Sequence, residues 1–276
     1  MMTFFGANEN FEEIIYGVFP KPTVKKIKNI AIGWTNCVFE VFTIHGNFFC
    51  RFPRDPFWSK MIIKDAAFCQ YIKGRISFAT PDMYIKYHEG RPFSVHKKIE
   101  GDCVGEMLDK LTPAEMEKIA KGYAKFVKEI SELPIDELPA ECRVTNFEFL
   151  DALATSHFIN MHHWKRDFFL RHDDKNHLVH GDFNSNNSIV DKDKNVIGIL
   201  DFCFAGTGDP YGDVARMIGR MPSAFKAPMI RAYTEEIGEE LDMVKLEGFI
   251  HAWREIDTGY IEYMRANCPE IQLPAA

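Results

Sequence analysis

One segment in the second half of the chain constrains its fold and function more than any other. Residues 180–187 read His-Gly-Asp-Phe-Asn-Ser-Asn-Asn, so Asp182 is followed five positions later by Asn187, and an apolar run then leads to Asp201. Short apolar stretches flank these polar groups, and the polar turn at 191–195 separates two of the stretches. The pattern predicts a hairpin that brings Asn187 and Asp201 to the same end of neighbouring strands.

The three side chains have the chemistry needed for phosphoryl transfer to a hydroxyl group. An alcohol is a poor nucleophile, so a carboxylate must lie within hydrogen-bond distance and accept its proton. The transferred group carries charge that Mg²⁺ can neutralise, and Mg²⁺ prefers carboxylate and amide oxygens. We therefore predict that Asp182 is the catalytic base and that Asn187 and Asp201 are the metal ligands. A surface turn would explain any one of these pieces, but it does not readily explain all of them in this order.

The segment over 178–218 resembles the active site of the aminoglycoside phosphotransferase and choline kinase family, which are small-molecule relatives of the protein kinases. The shared pattern is His-Gly-Asp with an Asn five residues after the Asp, an apolar strand ending in Asp, and then Gly-Asp-Pro-x-x-Asp before an aliphatic residue and Ala. The resemblance implies that Asp182 is the base, that Asn187 and Asp201 hold magnesium, and that Asp213 braces the catalytic loop. It also implies an α+β, bilobal protein-kinase-like fold, with a small antiparallel-sheet N-lobe and a larger helical C-lobe.

Composition excludes several other classes of protein. The chain has 276 residues, of which 46% are hydrophobic and 26% charged, as in ordinary globular proteins. A net charge of −7 argues against a nucleic-acid or anionic-membrane partner. The odd number of cysteines without a Cys-x-x-Cys pair predicts neither a disulfide framework nor a zinc site. Without a signal peptide or an apolar window of about 20 residues, we expect a cytoplasmic protein, predicted to be a monomer, that binds neither nucleic acid nor membranes.

The first hundred residues are predicted to form a lobe of their own. Its predicted elements, in chain order, are a helix over 10–19, strands over 24–32, 37–44 and 47–52, a helix over 57–73, and strands over 83–87 and 93–99. We place the boundary so that residues 1–100 form an N-terminal nucleotide-binding lobe and residues 101–276 form the C-terminal catalytic and substrate-binding lobe.

The resemblance assigns residues of this lobe to the nucleotide phosphates. The turn at 33–36 stands where kinases have a glycine-rich loop over the phosphates, which makes Thr35 and Asn36 candidates for nucleotide binding. Without the downstream motif, an ordinary hairpin turn would explain this segment equally well. Arg51 stands in place of the phosphate-binding Lys of kinases, and its guanidinium can bind phosphate oxygens in a bidentate way. Asp65 stands where kinases place the Glu that orients this cation.

The stretch over 97–101 resembles the hinge between the lobes of a kinase. In the family the main chain of this segment binds the purine, which makes Lys97 and Ile99 candidates for nucleotide binding. Because these contacts use backbone groups, the side chains of the hinge leave the choice between ATP and GTP open.

The rest of the chain is predicted to be mostly helical and to bind the acceptor. Helices are predicted over 112–133, 146–170, 211–220, 227–237 and 243–266. His157, His162 and His163 lie on the second of these without a carboxylate or Cys at ligand spacing, so we interpret them as surface or core-edge residues. An acidic and aromatic face beside a base would suit a polycationic sugar, although a solvated helix face would have the same composition. The residues predicted to bind substrate on this ground are Glu235, Glu239, Trp253 and Asp257.

The sequence therefore predicts an enzyme that uses Mg²⁺ and transfers the γ-phosphoryl group of ATP or GTP to a hydroxyl of a small-molecule substrate. An aminoglycoside-type antibiotic is the leading acceptor, and a metabolite alcohol such as choline, homoserine or a sugar is the alternative. A nucleotide-binding regulatory module without turnover also stays open, because Arg51 and Asp65 depart from the Lys and Glu of kinases. A metal-dependent hydrolase that uses the same carboxylates on water is a further alternative.

Overall fold

The N-terminal part of the protein is built on one antiparallel sheet. The computed structural model describes residues 5, 9–32, 35–157, 159 and 166–267. The strands of this sheet are β1 (Val24–Ile32), β2 (Asn36–Thr43), β3 (Gly46–Pro53), β4 (Tyr84–His88) and β5 (Arg91–Lys97). Their spatial order is β1-β2-β3-β5-β4, so β3 lies between β2 and β5. Arg51 on β3 is therefore flanked by Val38 on β2 and by Ser94 on β5.

The two faces of this sheet have different partners. Side chains alternate along a strand, so Phe52 points to one face of β3 and Arg51 points to the other. Helix α1 (Phe11–Val18) covers the first face and begins at Asn10, whose side chain caps its first turn. The buried apolar residues of this cluster are Phe5, Ile14, Ile15, Cys37, Phe39, Val41, Cys50, Phe52, Phe93 and Val95. The face that carries Arg51 is left for the rest of the molecule.

Helix α2 (Pro56–Ile72) connects the sheet to the helical part. It begins at Asp55, whose carboxylate accepts the N–H of Trp58. Trp58 and Phe68 are buried in a large apolar cluster that also contains side chains of the C-terminal helices. Asp65, midway along α2, is fully buried as well. The lobe boundary near residue 100 stays a prediction. Because α2 packs into the apolar cluster of the C-terminal helices, a division of the chain there would not separate two independent apolar cores.

The C-terminal part of the described chain is mostly helical. Its helices are α3 (Pro113–Ser131), α4 (Asn146–Ser156), α5 (Arg166–Arg171), α6 (Pro210–Arg220), α7 (Lys226–Ile237) and α8 (Met243–Asn267). Its short strands are β6 (Asp102–Cys103), β7 (Leu178–Val179), β8 (Ser188–Val190), β9 (Val196–Ile199) and β10 (Gly206–Thr207). Strands β6, β8 and β9 form one small sheet, and β7 pairs with β10. Helices α3 and α4 each begin with a capping box, formed by Thr112 with Glu115 and by Thr145 with Glu148.

The predicted combination of a small antiparallel sheet and a larger helical part is confirmed. One element was predicted wrongly. The single helix predicted over 146–170 ends at Ser156, and a separate helix begins at Arg166. The chain leaves the helix at His157, whose Nε2 lies 2.9 Å from the carboxylate of Asp55 at the start of α2. A contact with a residue so distant in sequence cannot be read from local periodicity.

Parts of two further predictions concern residues outside the described ranges. These are the first half of the proposed nucleotide turn, residues 33–34, and the histidines at 162 and 163. Among the described residues no helix combines the length and apolar character needed to cross a bilayer. The cysteines of the described ranges form no disulfide with one another.

The sheet core gives a direct test of the fold. Phe52 lies between the rings of Phe5, Phe11 and Phe93, with centroid separations of 4.9 to 5.1 Å. Phe52→Ala is expected to lower the free energy of unfolding by about 3–5 kcal/mol, because it removes a buried ring and leaves a cavity. The control Tyr87→Ala, at an exposed position of the edge strand β4, should change it by less than about 0.5 kcal/mol. Urea denaturation followed by circular dichroism measures both, and similar small losses in the two variants would contradict this core.

Candidate active site

The predicted hairpin is present and brings two candidate ligands together. Strands β8 and β9 pair in antiparallel fashion, with Ser188 opposite Ile199. Beyond this pair the N–H of Leu200 donates to the carbonyl oxygen of Asn187 at 2.8 Å. Asn187 and Asp201 therefore lie at the same end of the hairpin, and both line one cleft. Asp201 has a φ of 63°, a left-handed conformation that is uncommon for a non-glycine residue and often found at functional sites.

The loop that carries Asp182 is fixed by a buried carboxylate. Asp213, in the first turn of α6, accepts the backbone N–H of His180 at 2.7 Å and that of Gly181 at 2.9 Å. Burial raises the pKa of Asp213, while the neighbouring His180 and the two donated N–H groups oppose that rise. Gly181 has a φ of 79°, and a Cβ there would clash with a backbone carbonyl, so this turn requires glycine. The side-chain amide of Asn187 donates to the carbonyl oxygen of Asp182 at 3.0 Å, which joins the loop to the hairpin.

Arg51 joins the sheet, α2 and the hairpin in one ionic network. Its Nη1 donates to Oδ2 of Asp65 at 2.7 Å, and its Nη2 donates to Oδ1 of Asp201 at 3.0 Å. The Arg51 side chain is 11% exposed and that of Asp65 is 0% exposed. The other oxygen of Asp65 accepts the backbone N–H of Phe202 at 3.0 Å. Arg51 and Asp65, which stand in place of the Lys and Glu of kinases, therefore form an ion pair in the structure.

Burial and the arginine charge act in opposite directions on these two carboxyl groups. Burial raises the pKa of Asp65, and the charge of Arg51 offsets that rise only in part. At Asp201 burial would also raise the pKa, but the charge of Arg51 and hydrogen bonds from Cys203 and Arg51 outweigh it, so this pKa is lowered. The Asp201 side chain is 35% exposed. It is therefore an ionised carboxylate that opens onto the cleft.

The donor set at the end of the hairpin fits Mg²⁺. The side-chain N–H of Asn187 donates to Asp182, so the amide oxygen of Asn187 is left for a cation. Asp201 supplies a carboxylate oxygen. Mg²⁺ commonly binds one or two such protein groups and completes its shell with phosphate oxygens and waters. No group of three or more His, Cys, Asp or Glu side chains arranged for a metal is found in the described part of the chain. The fit therefore depends on Asn187 and Asp201.

A cleft of about 610 Å³ runs between the sheet and the β8–β9 hairpin. Its lining residues are Ile30, Val38, Phe49, Arg51, Pro81, His96, Lys98, Ile99, Gly101, Cys103, Glu106, Asn186, Asn187, Ile189, Leu200 and Asp201. Of the residues predicted to bind nucleotide, Arg51 and Ile99 line the cleft, whereas Thr35, Asn36, Asp65 and Lys97 do not. Asp65 is connected to the cleft through its bond to Arg51. Asn36 is buried and donates to the hydroxyl of Thr35 at 2.9 Å, so a role of these two in phosphate binding stays a prediction.

A buried arginine on α6 holds the candidate base, Asp182. Arg216 on α6 donates through Nε at 2.9 Å and through Nη2 at 2.8 Å to Oδ1 of Asp182. Its Nη1 donates to Oδ1 of Asp257 on α8 at 2.6 Å, and Arg220 donates to the same oxygen at 2.7 Å. The guanidinium of Arg216 lies 4.4 Å from the ring centroid of Trp253. The carboxylate of Asp182 is therefore positioned by α6 and α8 together.

The residues predicted to bind the acceptor fall into two groups. Asp257 and Trp253 lie next to the base through their contacts with Arg216. Trp253 is buried, and its indole N–H donates to a backbone carbonyl at 3.1 Å. Glu235 on α7 and Glu239 just beyond it are exposed to solvent, and no contact with Asp182 is found for either.

Sequence reasoning missed two residues of this region. Arg216 carried one signal, its place three residues after Asp213 on the same helix, but that spacing does not reveal which carboxylates it contacts. His96 lines the cleft directly before the predicted hinge at 97–101. It lies opposite Phe49 and therefore on the same face of the sheet as Arg51, and this pairing of distant strands could not be read from the sequence.

The chain belongs to the phosphotransferase enzyme family, whose model matches residues 26–249. The matched range contains all of the sheet but its first two residues, the β8–β9 hairpin, and both Arg51 and Arg216. The family resemblance drawn from the motif over 178–218 is thereby confirmed, and the protein is a phosphotransferase with an alcohol group as acceptor. No curated protein matches the chain closely enough to count as a relative.

Solved structures show the same bilobal kinase-like fold. An aminoglycoside 2''-phosphotransferase in complex with GDP and kanamycin has 18% sequence identity and a TM-score of 0.74, over 94% of this chain and 93% of that chain. Another, in complex with ATP and streptomycin, has 16% identity and a TM-score of 0.62, over 95% and 97%. A macrolide 2'-phosphotransferase from Brachybacterium faecium has 15% identity and a TM-score of 0.62, over 96% and 99%. The predicted fold class is confirmed, and identities this low leave the acceptor open.

Replacement of Arg216 should impair turnover without weakening nucleotide binding. Arg216→Gln removes the group that positions Asp182, so kcat is expected to fall by about ten- to a hundredfold. Arg216→Lys keeps the charge but loses the planar fork and should give an intermediate kcat. Because Arg216 does not line the cleft, the Kd for ADP should change by less than about twofold in both variants.

The matched control is Arg254→Gln, which removes the same charge from an exposed position of α8. Steady-state kinetics and calorimetric titration with ADP measure the two effects separately. A loss of ADP affinity as large as the loss of kcat would show that Arg216 supports the fold as a whole rather than the base.

Proposed function

We propose that this protein transfers the γ-phosphoryl group of a nucleoside triphosphate to a hydroxyl group of a small molecule, with Asp182 as the catalytic base. The observation that carries the proposal is the link from Asp182 through the amide of Asn187 to the hairpin end that holds Asp201. A base and two ligands for a phosphate-bound cation thus belong to one rigid unit. Phosphoryl transfer depends on such an arrangement, because its catalysis comes mainly from positioning and charge stabilisation.

On the donor side, Arg51 would hold phosphate oxygens, and Asp65 would keep its guanidinium in place. The two bonds to Asp65 and Asp201 use two of its N–H groups, which leaves further N–H groups for the nucleotide. Asn187 and Asp201 would hold Mg²⁺, which when bound neutralises charge on the transferred group. The purine of the nucleotide would lie in the apolar slot between the sheet and the hairpin. The main chain near Ile99 would lie at the edge of this slot.

On the acceptor side, the geometry leaves one oxygen of Asp182 for the substrate. Both hydrogen bonds from Arg216 go to Oδ1, and no described residue is found to donate to Oδ2. An acceptor hydroxyl that donates to Oδ2 would be oriented toward the transferred phosphoryl group and would lose its proton to this carboxylate. Arg216 would act as a positioning residue, because it contacts the base and not the reacting atoms.

An aminoglycoside-type antibiotic is the first acceptor that we propose. Three observations support it: the motif resemblance, the family, and the kanamycin and streptomycin complexes of structures with the same fold. The exposed carboxylates of Glu235 and Glu239 would then supply part of the charge that a polycation requires. Asp257 and Trp253 would lie next to the catalytic base, Asp182, and would help to position it through their contacts with Arg216.

One observation favours a metabolite alcohol as a second candidate. Next to the base, the carboxylates of Asp182 and Asp257 are already matched by the guanidinium groups of Arg216 and Arg220. A polycation near Asp182 would have to compete with these bonds or displace them. A neutral alcohol such as a sugar could bind beside Asp182 with the whole network intact.

A panel of acceptors tests the proposed function. The panel contains kanamycin, streptomycin, a macrolide, choline, homoserine and simple sugars, each with ATP or GTP and Mg²⁺, and the readout is nucleoside diphosphate release with mass spectrometry of the product. We expect acceptor-dependent release and a product heavier by one phosphoryl group. Nucleotide binding without release would support the regulatory module, and release that is equal in all samples without product would support a hydrolase.

Asp182→Asn is expected to abolish transfer while the nucleotide still binds. The amide keeps the shape of the side chain but cannot accept the proton, so turnover should fall by at least about a hundredfold. The control is Asp193→Asn, which makes the same change at an exposed position in the turn of the same hairpin. Product formation by mass spectrometry and ADP binding by calorimetry provide the two measurements. Normal turnover in Asp182→Asn would rule out this residue as the base.

Asp201→Asn is expected to weaken the Mg²⁺ dependence of nucleotide binding. The substitution removes a charged cation ligand and one of the two partners of Arg51, so the gain in ADP affinity on adding Mg²⁺ should shrink by about tenfold or more. Titrations with Mg²⁺ and with a chelator, in the wild type and in Asp193→Asn, provide the reference. The same Mg²⁺ effect in all three proteins would exclude Asp201 as a ligand.

A further inference from the structure

His96 is a buried polar residue on the wall of the cleft, and none of the roles above uses it. It pairs with Phe49 across β3 and β5, so its side chain lies on the same face of the sheet as Arg51. It is 7% exposed, and it lines the cleft next to Ile99 and Lys98 of the predicted hinge. A polar group in this position faces whatever occupies the slot.

The hydrogen bond of His96 fixes which ring nitrogen carries the proton. Nδ1 lies 3.2 Å from the carbonyl oxygen of Lys97, and a carbonyl oxygen can only accept, so Nδ1 is the donor. Burial first, and the charge of Arg51 second, lower the pKa of His96 to about 4, so the ring is neutral near pH 7 and holds a single proton. Nε2 is therefore an acceptor, and no donor to it is found among the described residues.

The surroundings of His96 fit one edge of a flat heterocycle. Val38 on the sheet side, with Ile189 and Leu200 on the hairpin side, supplies apolar walls for its two faces. His96 pairs two residues along β3 from Arg51, which is about 7 Å at the spacing of a strand. A nucleotide whose phosphates reach Arg51 would place its base against this part of β5 and the chain that follows it.

We propose that His96 reads the substituent at position 6 of the purine and makes the protein select adenine over guanine. The inference rests on the proposed function and specifies its phosphoryl donor. Position 6 lies on the side of the purine remote from the ribose, so it is the position that reaches the buried wall of the slot. Adenine carries an amino group there, which donates to Nε2. Guanine and hypoxanthine carry a carbonyl oxygen, which would meet a second acceptor.

Guanine could bind only at the expense of the existing hydrogen bond. The ring would have to move its proton from Nδ1 to Nε2, and the carbonyl oxygen of Lys97 would lose its donor in a buried site. Leaving a buried polar group without its partner typically weakens binding by about tenfold or more. The fold does not make this choice, since structures with the same fold are known with GDP and with ATP.

The test is calorimetric titration of the full chain with ADP, IDP and GDP in the presence of Mg²⁺. IDP separates position 6 from position 2, because it shares the 6-oxo group of GDP and lacks the 2-amino group. We expect ADP to bind about tenfold or more tightly than IDP and GDP, with the latter two alike. Equal binding of the three, or IDP binding as tightly as ADP, would overturn the inference. Binding of none of them would overturn the proposed function as well.

Two variants at the same position link the selection to the ring nitrogen. His96→Leu removes the acceptor, so the preference for ADP over IDP should fall to within about twofold, mainly through weaker ADP binding. His96→Gln can present either an amide oxygen or an N–H and should give a similarly small preference. The control His45→Leu, at the exposed turn between β2 and β3, should retain the wild-type ratio. An unchanged ratio in both His96 variants would contradict the assignment, even if ADP proved to be the preferred nucleotide.

Discussion

The ion pairs of Arg51 are the interaction on which the rest of the site depends. One guanidinium joins a carboxylate of α2 to a carboxylate at the end of the β8–β9 hairpin, through two different nitrogens. A Lys ammonium is a single point of charge and lacks the fork that spans two such acceptors. Arg51 and Asp65 are therefore matched departures from the kinase pattern. Asp is one methylene shorter than Glu, and the longer, forked side chain of Arg makes up for this difference. The two groups therefore meet at the distance of an ordinary charged hydrogen bond.

The ion pairs of Arg51 and of Arg216 leave different net charges on the donor side and the acceptor side of the proposed site. On the donor side one cation, Arg51, faces two carboxylates, Asp65 and Asp201, which leaves an excess of one negative charge that a bound cation would offset. On the acceptor side two guanidinium groups face two carboxylates, so the pairs around Asp182 are balanced. In the proposed function this charge distribution would suit a metal at Asp201 and an uncharged group at Asp182. Any positive groups of an acceptor would have to lie farther from the base.

The sequence predicted the parts of the site that are close along the chain. The hairpin followed from its short apolar strands and polar turn, and the start of α3 followed from Thr112 as its capping residue. The partners of Asp182 did not follow, because Arg216 is 34 residues away and Asp257 lies on another helix. The same reason explains the helix that ends at Ser156, where the ring of His157 also contacts Asp55, a residue 102 positions away. The tautomer of His96 depends on a backbone carbonyl and on burial, which no sequence pattern records.

In the proposed function the two substrates would bind to different parts of the chain. The donor cleft is formed by neighbouring strands of one sheet and by a hairpin, all held in register by backbone hydrogen bonds and by Arg51. In the proposed function the acceptor would bind where α6 and α8 meet, and there the contacts between the helices are made by side chains such as Arg216, Trp253 and Asp257. Side chains at a helix–helix contact can change without altering the register of a distant sheet. Relatives with the same donor machinery can therefore differ in their acceptors, which fits solved structures that share this fold and were obtained with different antibiotics.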